Sequence, residues 1–261
     1  MSQQFLKSQI AESFSRAAVS YDSVAQLQRD IGHELLSQLT QTSADVVLDL
    51  GCGTGYFAPL LTEQLKPRQL ICLDMAQGML QYARQHRSIA NTLWLCGDAE
   101  KLPLADNSVN LIFSSLAIQW CEDLAALFSE VARVLKPGGR FIFSTLGPQT
   151  LYELRESWSV VDSFQHVNRF IDLDCLQASA ERQLQPVSLR QANKVLLYDQ
   201  LRELTAELKG IGAHNISAGR HSGLTGKARV IAFKQAYEQF RRPDGQLPAS
   251  YQVFYGEYIH G

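Results

Sequence analysis

An α/β fold is what this sequence predicts: a mostly parallel sheet with helices on both faces. Three observations predict it. Strand and helix patterns alternate between residues 45 and 144. A glycine-rich turn, Gly51-Cys52-Gly53-Thr54-Gly55, directly follows the first strand pattern. The composition, 46% hydrophobic and 19% charged, suits a chain that buries a core and argues against a disordered one.

The elements follow in order. Apolar residues at 24, 27, 31, 35 and 39 keep helical spacing, which predicts a helix over 24–39. Residues 45–50 read as a strand, 56–65 as a helix, 69–73 as a strand, 76–85 as a helix and 92–96 as a strand. Residues 109–113 then predict a strand, 124–135 a helix and 140–144 a strand. Lys136-Pro137-Gly138-Gly139 supplies the break between the last two. Beyond Gly147 the pattern loosens. Residues 148–170 predict a helix with two aromatic clusters, and 173–184 predict another. A weak alternation over 187–198 predicts a strand, 199–209 a helix, 210–226 a glycine-rich loop and 227–241 a helix. Alternating aromatic and polar residues over 250–259 predict a terminal strand. The expected organisation is one domain over 1–261, with an N-terminal cap at 1–40, a core at 45–146, and additions with terminal strands at 147–261.

Composition excludes several classes. No apolar run reaches the ~20 residues of a membrane span, and the N-terminus lacks the apolar centre of a secretory signal. The expected address is the cytoplasm. Five cysteines, Cys52, Cys72, Cys96, Cys121 and Cys175, form no CxxC pair. Buried thiols, with Cys72 and Cys96 inside strands, fit them better than disulfides or a metal site. Net charge is −2, but residues 186–242 carry ten Lys or Arg against four Asp or Glu, a balance of +6. That stretch is either a solvated helical face or a surface for an acidic partner. No nucleic-acid-binding motif accompanies it.

The glycine turn narrows the chemistry. A dinucleotide turn needs G-x-G-x-x-G, and here Tyr56 stands at the last glycine position. No Gly-Lys-Ser/Thr follows, so a phosphate loop fails as well. A zwitterionic amino acid also needs bare backbone at a strand end. Its carboxylate suits backbone N–H groups near a helix start, and its ammonium suits Asp49. Asp74 ends the second strand, where an acidic side chain takes the hydroxyls of a ribose. Asp98 ends the third strand and can accept from the amine of adenine. Amino acid, ribose and adenine together describe S-adenosylmethionine.

Residues 49–55 (DLGCGTG), 73–80 (LDMAQGML), 97–120 (GDAEKLPLADNSVNLIFSSLAIQW) and 133–145 (RVLKPGGRFIFST) occur in this order. In this the chain resembles the class I S-adenosylmethionine-dependent methyltransferases. The resemblance covers residues 45–145 and implies a seven-stranded, Rossmann-like sheet whose last strand is antiparallel. It implies a cofactor lying across the carboxyl ends of the strands, with S-adenosylhomocysteine as product. Asp49, Gly51, Gly53 and Gly55 would meet its amino-acid part, Asp74 and Met75 the ribose and adenine, and Asp98 and Ala99 the adenine. Ser114 to Leu116 would line the site. The core at 45–146 is then the cofactor-binding part and the region after 147 the substrate or lid part.

The flanks carry a second resemblance. FSRAAVSYDSVAQLQ, SLAIQWCEDL, STLGPQTLYELRESW, HVNRFID, LKGIGAHN, GLTGKAR and LPASYQVFYGEYI resemble the malonyl-acyl-carrier-protein O-methyltransferases of biotin synthesis over nearly the full length. This implies a malonyl group on the phosphopantetheine arm of an acidic acyl carrier protein, and the basic stretch fits such a partner. The implied product is a methyl ester that primes pimeloyl synthesis. A carboxylate is ionised at pH 7 and needs no general base; holding it in line with the methyl group is the requirement. A metal is not expected, and a monomer is the default.

Candidate acceptor residues follow. Tyr21 in the cap can lie over the cofactor. Gln119 and Trp120 follow the fourth strand. His166 and Asn168 are polar groups in an aromatic segment, and His214 and Asn215 sit in the glycine loop. For the carboxylate or the carrier, Arg16, Arg169, Arg220, Lys227 and Arg229 are candidates. Alternatives remain open: a methyltransferase acting on a free carboxylic acid or a quinol, a non-catalytic cofactor-binding protein, and, disfavoured by Tyr56, a dehydrogenase.

Overall fold

The computed structural model describes residues 2–213 and 226–261, with side chains from Lys7 onward except that of Lys227. Two helices open the chain, α1 (Ser2–Val24) and α2 (Gln26–Ser37). Alternation then brings β1 (Val46–Leu50), α3 (Ala58–Leu65), β2 (Gln69–Asp74), α4 (Gln77–His86), β3 (Thr92–Cys96), β4 (Val109–Ser115), α5 (Leu124–Val134) and β5 (Leu135–Leu146). The additions are α6 (Tyr152–Ser159), α7 (Leu173–Ala180), β6 (Gln185–Tyr198), α8 (Leu201–Gly210), α9 (Lys227–Tyr237) and β7 (Leu247–Ile259).

The described strands form one seven-stranded sheet in the order β3-β2-β1-β4-β5-β7-β6. The first five run parallel, and β7 is antiparallel to both β5 and β6. All five residues of β1, Val-Val-Leu-Asp-Leu, are buried, as a central strand covered on both faces requires. One face packs on a core of Ile31, Leu35, Val47, Leu61, Leu111 and Phe113, the other on Leu48, Ile112, Phe128, Val131 and Phe141. Strand order reverses between β1 and β4, and such a switch point opens a crevice at the carboxyl ends of the strands.

Four expectations change. The predicted helix over 24–39 is divided at Ala25, and residues before it form the 23-residue α1, which apolar spacing alone did not predict. The Lys136–Gly139 break lies inside β5 as a bulge: Leu135 pairs with Val109, while Arg140 pairs with Leu111. Gly138 takes φ +75°, and its N–H donates to His260 O, which ties the bulge to the chain end. The helix expected over 148–170 is only α6, because Asp162 accepts the N–H of Phe164 at 2.9 Å and turns the chain. Cys96 is exposed, since β3 is an edge strand; among the described residues all five cysteines are free. No described helix is long and apolar enough to cross a membrane.

Candidate active site

The cleft at the switch point is lined by the carboxyl ends of β1, β2 and β4 and by the turn after β3. Its walls include Leu50, Gly51, Gly53, Asp74, Met75, Asp98, Ala99 and Leu116. Helix α1 roofs it with Lys7, Ile10, Phe14 and Tyr21, and the cleft holds about 770 Å³ out to its mouth. Gly53 takes φ +53° and turns its N–H onto Asp74 Oδ2 at 2.8 Å; Ala76 N–H donates to Oδ1 at 2.7 Å. Each carboxylate oxygen keeps a lone pair for a ligand hydroxyl.

Asp49 sits beneath this turn, 3% exposed, and its Oδ2 has no hydrogen-bond partner among the described residues. Burial, with the Asp74 charge behind it, pushes the Asp49 carboxyl up to about 8, and burial also raises Asp74. Asp74 faces the cleft, whereas Asp49, expected to meet the cofactor, does not line it and lies just behind the turn. Asp98 accepts from Lys7 at 2.7 Å and from the N–H of Glu100 at 3.0 Å, and it remains partly exposed. Asp74 and Asp98 after two strand ends, bare glycine backbone and the apolar side chains of Met75, Met79 and Ile118 fit the ribose and adenine of S-adenosylmethionine.

Helix α1 is fastened over this cleft at both ends. Lys7 pairs with Asp98 and with Glu100 at 2.8 Å. Asp22 accepts from Thr54 Oγ1 of the glycine turn at 2.6 Å and pairs with Arg87 at 2.6 Å. Ser15 Oγ accepts the N–H of Gly78 at 3.1 Å.

A second cavity, about 1270 Å³ out to its open mouth, adjoins the cleft, and Phe14, Tyr21, Leu116 and Trp120 line both. Phe14 and Trp120 meet edge to face at 5.2 Å between ring centres. Burial raises the Tyr21 phenol, with Asp74 and Asp22 adding to the shift, so it stays a neutral hydroxyl. The far wall is aromatic: Trp158 stacks between His166 at 3.9 Å and Phe233 at 4.2 Å. His166 Nε2 stands 2.8 Å from Asp162 Oδ1, and Arg229 holds the other oxygen. Burial works to raise Asp162, but hydrogen bonds from His166, the Phe164 N–H and Arg229 outweigh it and keep the group ionised.

The structure thus brings Gly51, Gly53, Asp74, Met75, Asp98, Ala99 and Leu116 to the cleft, with Tyr21 and Trp120 at its junction with the second cavity. His166, Asn168 and Gln119 line that cavity. Several expected residues stand elsewhere. The β-carbon position of Gly55 lies 2.7 Å from Trp94 and 3.2 Å from Ala83, so this glycine serves packing. Ser114 is fully buried and donates to Leu50 O at 2.8 Å; its neighbour Ser115 lines the cleft. Arg16 is exposed on α1 and pairs with Glu12 one turn away. Arg169 is exposed and lines neither cavity, and Arg229 is committed to Asp162. His214, Asn215 and Arg220 lie outside the described residues, as does the side chain of Lys227.

Sequence reasoning missed Lys7, Phe14, Gln28, Trp158 and Lys209 as cavity residues. Phe14 had a signal: it precedes Tyr21 by seven residues, which places both on one helix face. Lys209 ends a helix far along the chain and had none. Among the described residues no group of three His, Cys, Asp or Glu is placed to hold a metal.

Comparison with known proteins agrees with this geometry. A methyltransferase-domain family model matches residues 48–143. The chain is 51% identical over 95% of its length to the biotin biosynthesis bifunctional protein BioHC of Cellvibrio japonicus, of which it covers 49%. It spans about half the length of such bifunctional relatives. It is 40% identical to the malonyl-[acyl-carrier protein] O-methyltransferase of Hahella chejuensis, over 95% of this chain and 88% of that protein. In structure it is similar to the YcgJ protein of Bacillus subtilis, with TM-score 0.61 and 22% identity over 88% of this chain and 98% of the other. That likeness extends to the fold alone. At this identity and coverage, and with this arrangement of strand-end acids and glycine turn, the chain belongs to the malonyl-[acyl-carrier protein] O-methyltransferase family.

Proposed function

We propose that the protein transfers a methyl group from S-adenosylmethionine to the free carboxylate of a malonyl thioester on acyl carrier protein. The product is the malonyl-carrier methyl ester, which starts the pimeloyl chain of biotin. The observation that carries this reading is the shared wall. One cavity fits the cofactor, the next can take a long thioester arm, and Phe14, Tyr21, Leu116 and Trp120 belong to both. The names of relatives such as those of Hahella chejuensis and Yersinia pestis support the choice of acceptor.

When bound, S-adenosylmethionine supplies a methyl group on a sulfonium and departs as a neutral thioether. The protein binds, orients and excludes water. Asp49 takes the ammonium, Gly51 and Gly53 the carboxylate, Asp74 the ribose, and Asp98 and Ala99 the adenine. Tyr21 and Trp120 wall the transfer path, and His166, held by Asp162, orients the arm with Asn168. The acceptor carboxylate is already ionised, so no residue has to remove a proton. Catalysis is then proximity and alignment in an apolar enclosure, where two opposite charges cancel with little solvent reorganisation.

The cap at 1–40, the core at 45–146 and the region 147–261 act as one unit, working as a monomer in the cytoplasm. The carrier approaches the basic face. Arg190 and Lys194 pair with Glu34, and Arg241 with Glu238. Arg202, Lys209 and Lys234 are exposed and pair with no described carboxylate. Among the described residues of that stretch, those three are free to meet an acidic carrier.

Intact-mass spectrometry of malonyl-acyl carrier protein, incubated with enzyme and S-adenosylmethionine, tests the proposal. A gain of one methyl group, removed by mild esterase treatment, is expected. No gain, with cofactor binding intact by calorimetry, leaves a methyltransferase with another acceptor or a binding protein without chemistry.

A further inference from the structure

We infer that Lys209 holds the phosphate of the acceptor's phosphopantetheine arm at the mouth of the second cavity; this rests on the acceptor class proposed above. Of the exposed bases Arg202, Lys209 and Lys234, which pair with no described carboxylate, Lys209 alone lines that cavity. An exposed lysine that also lines a cavity stands at its rim, its stem against the wall and its ammonium in water. Among the described lining residues no other lysine or arginine occurs, and no carboxylate accompanies it.

Lys209 belongs to Leu208-Lys209-Gly210-Ile211-Gly212, a run that the cofactor cleft leaves unexplained. Its glycines seat the end of α8 on α1. A β-carbon at Gly210 would stand 2.9 Å from Val24 Cγ2, and one at Gly212, whose φ is +73°, would stand 3.1 Å from Ser13 O. Ser20 Oγ donates to Gly210 O at 3.1 Å, and Ser13 Oγ to Gly212 O at 3.0 Å. Helix α1 also carries Phe14 and Tyr21 of the wall shared with the cleft. One seam therefore sets the span between the base at the rim and the wall where the methyl group passes.

The two ends of the arm match the two ends of that span. The thioester end takes its carboxylate to the wall, inside an apolar enclosure. The far end is a phosphodiester, anionic near pH 7, and it leaves the cavity where the carrier stands. A cation buried deep in the cavity would cost desolvation, whereas one at the rim keeps its water until the phosphate arrives. A lysine ammonium is a compact charge with three rotatable donors, which suits a phosphate approaching on a flexible arm. Lys209 thus recognises the arm itself, and Arg202 and Lys234 are left for the carrier's acidic surface.

Calorimetric binding of malonyl-phosphopantetheine and malonyl-pantetheine to the full-length enzyme, saturated with S-adenosylhomocysteine, tests the assignment. The two probes differ only in the phosphate. Wild-type enzyme should hold the phosphorylated probe about fivefold more tightly at low salt, and the ratio should shrink as salt rises. Lys209→Met, which keeps the stem and removes the charge, should bring the ratio close to one without changing malonyl-pantetheine affinity. Lys209→Arg should keep most of the ratio. Unchanged S-adenosylhomocysteine affinity shows that both variants are folded. A ratio that Lys209→Met leaves at its wild-type value overturns the assignment. So does an equal loss for both probes, which would mean that the stem packs on the arm and the charge does nothing. A wild-type ratio close to one, or no binding of either probe by an enzyme that methylates malonyl-carrier protein, overturns it as well. Failure of the wild-type enzyme to methylate malonyl-carrier protein overturns the acceptor class, and this assignment with it.

Discussion

The cofactor cleft and the acceptor cavity share a wall and differ in how the chain builds them. Apart from the roof supplied by α1, the cleft draws its lining from one continuous run of the fold, Leu50 to Cys121. The cavity gathers residues from Phe14 to Tyr251, taken from α1, α2, α6, the turn around His166, α8, α9 and β7. The cleft presents Asp74, Asp98 and Glu100 to a cationic ligand, with Lys7 as the one base among its described lining. The cavity is lined by aromatic rings, amides and Lys209, a setting for the proposed malonyl arm. Where the ligand is fixed, its receptor is written into strand ends a few residues long. Where the ligand varies across a fold, its receptor is assembled from the additions.

The largest expected effect tests whether the two regions separate. Asp74→Asn removes the charge that two ribose hydroxyls would meet, and S-adenosylmethionine affinity should fall about 100-fold or more by calorimetry. Binding of the carrier should hold. An equal loss on both sides would break the comparison.

Asp49 gives a signature of the cleft alone. Its folded-state carboxyl titrates at about 8, above its ordinary 3.8. The stability it allows is complete at pH below 3.8 and is lost as pH rises towards 8. Asp49→Asn avoids that loss. The variant should therefore gain thermal stability over the ligand-free wild type progressively from pH 4 to 8, by on the order of a few kcal/mol, and hold that gain above pH 8. It should also bind S-adenosylmethionine poorly throughout. Wild-type affinity should weaken as pH drops below about 8, because the ammonium then meets a protonated carboxyl. A gap independent of pH would contradict the assignment.

Trp158→Ala opens the stack between His166 and Phe233. The KM for malonyl-carrier protein should rise about tenfold while cofactor affinity holds, since lost packing of an aromatic is confined to the acceptor side. The smallest effect belongs to the surface. Reversing Arg202 and Lys234 to Glu should slow carrier association several-fold at low salt, and the difference should vanish at high salt. A salt-independent loss would mean that these side chains make buried contacts in the complex.

How much of this was legible in the sequence follows the same division. Asp74, Asp98, Gly51 and Gly53 sit where strands end, and an alternating pattern fixes strand ends well. Gly55 and Ser114 belong to the same motifs yet serve the core, because a motif records backbone geometry as well as ligand contact. The acceptor side was read in part: Tyr21, Trp120, His166 and Asn168 reach the cavity. For Arg16 and Arg229 a charge count did not reveal their partners. Glu12 and Asp162, which take Arg16 and Arg229, lie four and 67 residues away. Gln28 is a polar residue beside a helical apolar stripe, indistinguishable in sequence from any solvated side chain.

In the proposed reaction the methyl group crosses the wall formed by Phe14, Tyr21, Leu116 and Trp120. A crystal structure with S-adenosylhomocysteine and malonyl-pantetheine bound together tests it most directly. The expected result places the homocysteine sulfur in the cleft and a malonyl oxygen beside Tyr21 and Trp120, about 3–3.5 Å from the position of the transferred methyl carbon. An arm seated outside the second cavity, or a carboxylate turned away from that wall, would contradict it.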